Sequence, residues 1–116
     1  MVVEANTQDP VVTDGDKYSV VLENEGIRVL RYHDKPGDRT SQHPHPDYVV
    51  YAESSFKRRL TFPDGQIQDV EVEAGSVGWM KAHVHIGENI GATNTDVIIV
   101  ELKESRPSDD TENGLQ

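Results

Sequence analysis

The sequence contains no cysteine. That removes disulfides, thiolate nucleophiles and every zinc or iron–sulfur site built on thiolates. Positive charge is scarce as well: 11 Lys and Arg stand against 21 Asp and Glu, for a net charge of −10. No basic stripe is interleaved with aromatic residues, so nucleic acid is not expected as a partner. Long apolar runs are missing too. The longest aliphatic stretch, Val97-Ile98-Ile99-Val100, is far too short to cross a bilayer, so no membrane partner is expected. Residues Met1 to Asn6 show neither the basic start nor the apolar core of a secretory leader, and a cytoplasmic protein is the expectation. Nowhere do apolar residues recur at i, i+3, i+4 and i+7 for three turns, which leaves almost no helix. Motifs of the G-x-S-x-G, P-loop and dinucleotide types are absent.

What acidity there is lies mostly at the ends. Residues 1–16 carry −4 and residues 104–116 carry −3, and both stretches are polar with no apolar period. They read as flexible acidic tails flanking a single domain over residues 17–103. A chain of 116 residues can build only one hydrophobic core.

Within that domain the sequence reads as short strands divided by turns. Lys17 to Glu23, Ile27 to Tyr32, Tyr48 to Ala52, Phe56 to Phe62, Ile67 to Glu73, Val77 to Met80, His83 to Asn89 and Val97 to Leu102 are the strand candidates. Arg39 to His45 can be extended, but Pro44 and Pro46 place it at an edge or bend. Pro63-Asp64-Gly65 is a strong hairpin turn, and Gly91 to Asp96 reads as a polar loop. Such spacing predicts an all-β sandwich or a closed barrel.

Four of the five histidines form two His-x-His pairs, His43/His45 and His83/His85. In a strand, residues i and i+2 share a face, about 7 Å apart. Each pair therefore aims two imidazoles the same way, and two such strands side by side can surround one cation. Neutral imidazole suits zinc, iron, copper and nickel better than magnesium or calcium. Against this, either pair alone is as easily a surface loop or an exposed strand face.

The spacing Gly37-x5-His43-x-His45 resembles the first half of the first cupin motif. Gly75 followed by His85-x3-Asn89 is similar to the second, one residue shorter than usual. The resemblance covers residues 17–103 and implies a cupin double-stranded β-helix, a jelly-roll-like barrel. Phe62-Pro63-Asp64-Gly65 and Gly87-Glu88-Asn89-Ile90-Gly91 look like a subgroup of small bacterial cupins, one member of which is named for β-alanine degradation. Carried over, the metal ligands fall on His43, His45 and His85. The glutamate that usually follows the second histidine by four or five positions is missing, because Val49 and Val50 stand there. Asp47 and Tyr48 are the nearest substitutes, with water as the third. The set resembles cupin dioxygenases with three histidines on iron; zinc, nickel, manganese and copper are the other candidates.

Further residues are candidates for the pocket. His83 shares a face with His85 and is either a donor behind the ligands or a histidine at the barrel mouth. Asn89 follows on the same face, Trp79 lies on a neighbouring strand, and Tyr51 can point a phenol inward or simply pack. Arg58 falls by alternation on the apolar face of Phe56, Leu60 and Phe62. A guanidinium there needs an internal carboxylate, the carboxylate of a substrate, or a place at the rim of an intermolecular contact. The functional expectation is an oxygenase-like metal enzyme acting on a small organic acid or dicarbonyl. A redox-neutral isomerase or decarboxylase, or a non-catalytic binding module, shares the same features. A homodimer, pairing near residues 17–24, is the expected assembly.

Overall fold

Alternation and turn chemistry account for most of the elements. A computed structural model describes residues 9–103. In chain order it shows α1 (Pro10–Thr13), β1 (Tyr18–Glu23), β2 (Ile27–Asp34), β3 (His43–His45), β4 (Tyr48–Ala52), β5 (Phe56–Thr61), β6 (Ile67–Val72), β7 (Val77–Met80), β8 (His83–Asn89) and β9 (Thr95–Leu102). Gly65 closes the β5–β6 hairpin with φ +90, where a side chain would be strained, and its N–H donates to the Phe62 carbonyl at 2.9 Å. No helix among the described residues is long and apolar enough to cross a membrane.

The strands form two antiparallel sheets, β1-β2-β9-β4-β7 and β3-β8-β5-β6. Along β9, Thr95, Val97, Ile99 and Glu101 are buried while the residues between them are half-buried. Along β8, His85, Gly87 and Asn89 are buried in the same period. The core joins Leu30, Tyr32, Tyr48, Ala52, Phe56, Val97 and Ile99 with Tyr18. Each fully buried aliphatic side chain there stabilises the fold by about 1.5–3 kcal/mol.

Several expected boundaries move. Residues 9–16 are not a loose tail. Asp9 caps α1 by accepting from the Val11 N–H at 2.9 Å, Pro10 takes the first helical position, and Asp14 is only 4% exposed. The Asp14 carboxylate accepts the Ser41 N–H at 3.1 Å, which pins this turn against the approach to β3. The remaining parts of the expected tails, 1–8 and 104–116, lie outside the described residues. β9 begins at Thr95, which pairs with Asp34, so the preceding loop is two residues shorter than expected.

The phase of β7 also differs. Cross-strand partners share a face, and Trp79 lies opposite Val49 while Val77 lies opposite Tyr51. Tyr48 and Ala52 are the buried residues of β4, which turns Val49 and Tyr51 outward. Trp79 is therefore 52% exposed and Tyr51 43% exposed, on the outside of the barrel. With Leu22, Val29 and Val100 in register, Val49 and Trp79 complete an apolar row across the outer face of the larger sheet.

Candidate metal centre

β3 is an edge strand, as Pro44 within it and Pro46 just after it require, and it pairs with β8 so that His43 faces His85 and His45 faces His83. The period of two then turns His43, His45 and His85 toward the interior, where all three are buried. One ring nitrogen of each lies within 4.8 Å of those of the other two. Ring centroids are 4.7 Å apart for His43 and His45, 5.1 Å for His43 and His85, and 5.0 Å for His45 and His85.

The tautomers follow from the partners. Nδ1 of His43 lies 3.3 Å from an Asp14 oxygen, and Nδ1 of His45 lies 3.4 Å from a Glu101 oxygen. A carboxylate only accepts, so each Nδ1 carries the proton. His83 places its own Nδ1 2.8 Å from the Lys81 carbonyl, which makes that nitrogen a donor and leaves Nε2 as an acceptor. Nε2 of His83 is 2.9 Å from Nδ1 of His85, which must therefore donate. All three interior rings are thus left with a free lone pair on Nε2. This arrangement of outer acceptors fixes the ring orientation that a metal needs.

Protonation is disfavoured at two of these rings, His43 and His85. Burial, reinforced by His45, holds His43 down to about 4 despite the opposing pull of Asp14. Burial and the three neighbouring imidazoles push His85 down to about 2. Neutral nitrogens are what a metal requires.

The surrounding charge fits a divalent ion. Arg28 grips Glu101 at 2.8 Å and Asp9 at 3.1 Å, and Arg58 grips Asp34 at 2.7 Å. Asp9, Asp14, Asp34 and Glu101 are four carboxylates against these two guanidiniums. Of these carboxylates, Asp14 and Glu101 are the two that touch a ring of the cluster. Three neutral imidazoles with no thiolate and no ligating carboxylate suit a first-row transition metal, so the residues fit such an ion.

His45 and His85 also line a cavity of about 870 Å³ inside the barrel, with His43 fully buried behind them. Arg58 lines it too, and its partner is internal. Nη1 donates to Asp34 at 2.7 Å and to Thr95 at 3.2 Å, and Nη2 donates to the Tyr32 hydroxyl at 3.2 Å. Asn89 does not reach the cavity. Its amide donates to Asp34 at 3.0 Å and to the Thr93 carbonyl at 2.9 Å, so it braces the loop before β9. Tyr51 and Trp79 stand outside, as their strand phases dictate. His83 is half-buried behind His85 and, instead of the expected donor, is an acceptor toward that ring, since its Nε2 takes the His85 Nδ1–H.

Sequence reasoning missed Asp14, Asp34, Glu101 and the tyrosines Tyr18 and Tyr32, and it weighed Tyr48 only as a substitute ligand. A signal existed for two of the acids. Asp34 continues the inward phase of Leu30 and Tyr32, and Glu101 that of Val97 and Ile99. Asp14 had none, since its place depends on how α1 folds back.

No protein-family model matches the sequence, and no curated protein matches it. Solved structures do. A cupin domain from Bordetella pertussis Tohama I superposes with a TM-score of 0.69 at 25% identity, over 75% of this chain and 92% of that one. The fold is that of the cupins. A protein with a double-stranded β-helix domain from Klebsiella pneumoniae gives 0.58 at 20% identity, over 88% of this chain and 91% of that one. A predicted oxalate decarboxylase from Thermotoga maritima gives 0.54 at 20% identity, over 73% and 77%. These likenesses reach the cupin barrel and not the narrower β-alanine-degradation subgroup.

Proposed function

We propose that this cupin is a metal-dependent enzyme whose divalent transition metal sits on His43, His45 and His85, and that it carries out oxygenase-type chemistry with iron on an oxygen-bearing organic substrate. The observation that carries the reading is the convergence of three buried histidines whose Nδ1 atoms are all engaged, leaving three Nε2 lone pairs for one ion. Among the described residues, no fourth side chain joins the three histidines as a ligand. Val50 lines the cavity near where cupins place a glutamate, and the Asp47 carboxylate is turned away to accept the Ala82 N–H at 2.7 Å. When bound, the metal would supply Lewis-acid or redox chemistry at the positions left open.

The chain's own residues do the rest. Asp14, Glu101 and His83 hold the three rings in place. Burial raises the pKa of the Tyr18, Tyr32 and Tyr48 phenols, so all three stay protonated; Tyr32 gives its proton to Asp34, which leaves Tyr18 and Tyr48 to donate. The Tyr18 hydroxyl lies 3.4 Å from Nε2 of His43, within reach of an oxygen atom held at the centre. The apolar walls keep water from the rest of the substrate.

An oxygen electrode tests the reading. Iron(II)-loaded protein should consume oxygen when offered members of a dicarbonyl panel, and His85→Ala should not. Turnover by zinc-loaded protein with oxygen excluded would overturn the oxygenase reading in favour of a redox-neutral step.

A further inference from the structure

We propose that the cavity selects an uncharged, largely apolar molecule of at least bicyclic size, oriented with its oxygen atoms toward the histidines, and rejects small organic anions. Only the orientation rests on the metal-centre reading; the selectivity does not.

Size is the first ground. At about 870 Å³ the cavity falls in the upper range of pockets that enclose drug-sized ligands, and a two- to four-carbon acid would leave most of it empty. The second ground is its wall. Val50, Phe56, Leu60, Val72, Val97 and Ile99 line it from both sheets, and its hydroxyls, from three tyrosines with Ser76 and Thr95, are uncharged. An apolar body gains by displacing water from such a surface.

Charge is the third ground, and it decides against an anion. Arg58 is the cation lining the cavity, and it is already committed. Both terminal nitrogens are engaged by Asp34, Thr95 and Tyr32. The guanidinium also packs against Gly87, where an added Cβ would stand 2.6 Å from Nη2, so it cannot move to that side. A carboxylate that took Arg58 would strand Asp34 unpaired in the interior, an unfavourable exchange. Glu71 and Glu73 line the cavity on the exposed side of β6 and repel anions at entry. An organic cation would meet carboxylates only at the entry, in Glu71 and Glu73, since neither Asp34 nor Glu101 lines the cavity.

The test uses metal-free protein and the neutral fluorophore N-phenyl-1-naphthylamine. One equivalent should bind with enhanced emission. Competition then compares 2-acetylnaphthalene with 2-naphthoate, which share a ring system and differ in charge. The ketone should displace the fluorophore at about one-tenth the concentration of the carboxylate or less, and oxalate should not displace it. Val70 faces inward from the edge strand β6, and Val70→Trp should weaken binding about tenfold or more with an unchanged circular dichroism spectrum. If that variant unfolds, Val72→Phe serves the same purpose. Trp79→Ala, on the outer face, should bind the fluorophore as the parent does.

Three results would overturn the proposal: no fluorophore binding, displacement by the carboxylate equal to that by the ketone, or loss of binding in Trp79→Ala. Because the protein is metal-free, none of them depends on the metal reading. Failure of that reading shows instead as absence of metal from the purified protein.

Discussion

Asp14 and Glu101 approach the three-histidine cluster from opposite ends of the described chain, and each holds the Nδ1–H of one ring. Asp14→Asn and Glu101→Gln keep the shape but weaken the acceptor and free the tautomer. Metal affinity should fall about 10–100-fold in each, measured by competition with a chelator. Arg58 and Asp34 form the other buried unit. Arg58→Ala leaves an uncompensated carboxylate and should destabilise the fold by about 3–5 kcal/mol in urea titrations. The pH dependence has two parts. Burial works against the Asp34 carboxylate, but Arg58, Tyr32 and Asn89 outweigh it and its pKa lies below the ordinary value. With a depressed folded pKa the unfolded chain takes up the proton first. This stabilisation is therefore complete above the ordinary carboxyl value of about 3.9 and is lost as pH falls below it. His43 and His85 also have lowered pKa values, so metal-free protein should already lose stability as pH falls below about 6.5. Asp34→Asn should remove the steeper loss near pH 4 and leave the earlier decline in place.

Among the elements, β8 contributes most to the site, supplying His85, its partner His83 and the glycine against which Arg58 packs. Gly87→Ala should force the guanidinium off that glycine, destabilising the protein by about 1–3 kcal/mol in the same titration. Much of this was legible in the sequence because the period of a strand is two. The His-x-His spacing alone puts each pair on one face, and the Pro-Asp-Gly turn fixes the β5–β6 hairpin. The pairing of β3 with β8 came instead from the resemblance, since no local pattern joins strands forty residues apart. The phase of β7 was not legible. Val77, Gly78, Trp79 and Met80 are apolar or small throughout, so alternation cannot choose a face, and only the register against β4 decides. Nor was α1, which at four residues is too short to show a period and is held by the Asp9 capping bond and by contacts of the flanking Asp9 and Asp14 with Arg28, Ser41 and His43.

Across the whole molecule, chemistry is confined to the inside of the barrel while the only tryptophan lies outside. Trp79 should emit like free indole and be quenched readily by acrylamide. Emission shifted to the blue and shielded from quencher would contradict an uncovered face and send attention to sedimentation, with a second copy seated on the row of Leu22, Val29, Val100, Val49 and Trp79. The interior carries the central claim. Its three buried histidines converge on one point, with Nδ1 of each engaged by an outer partner, and could hold one divalent ion. Metal content by mass spectrometry tests this most directly, on the parent and on His85→Ala after reconstitution. The account predicts about one equivalent in the parent and less than about a tenth in the variant. A parent that binds less than about a tenth of an equivalent, or a variant that binds as much as the parent, would contradict it.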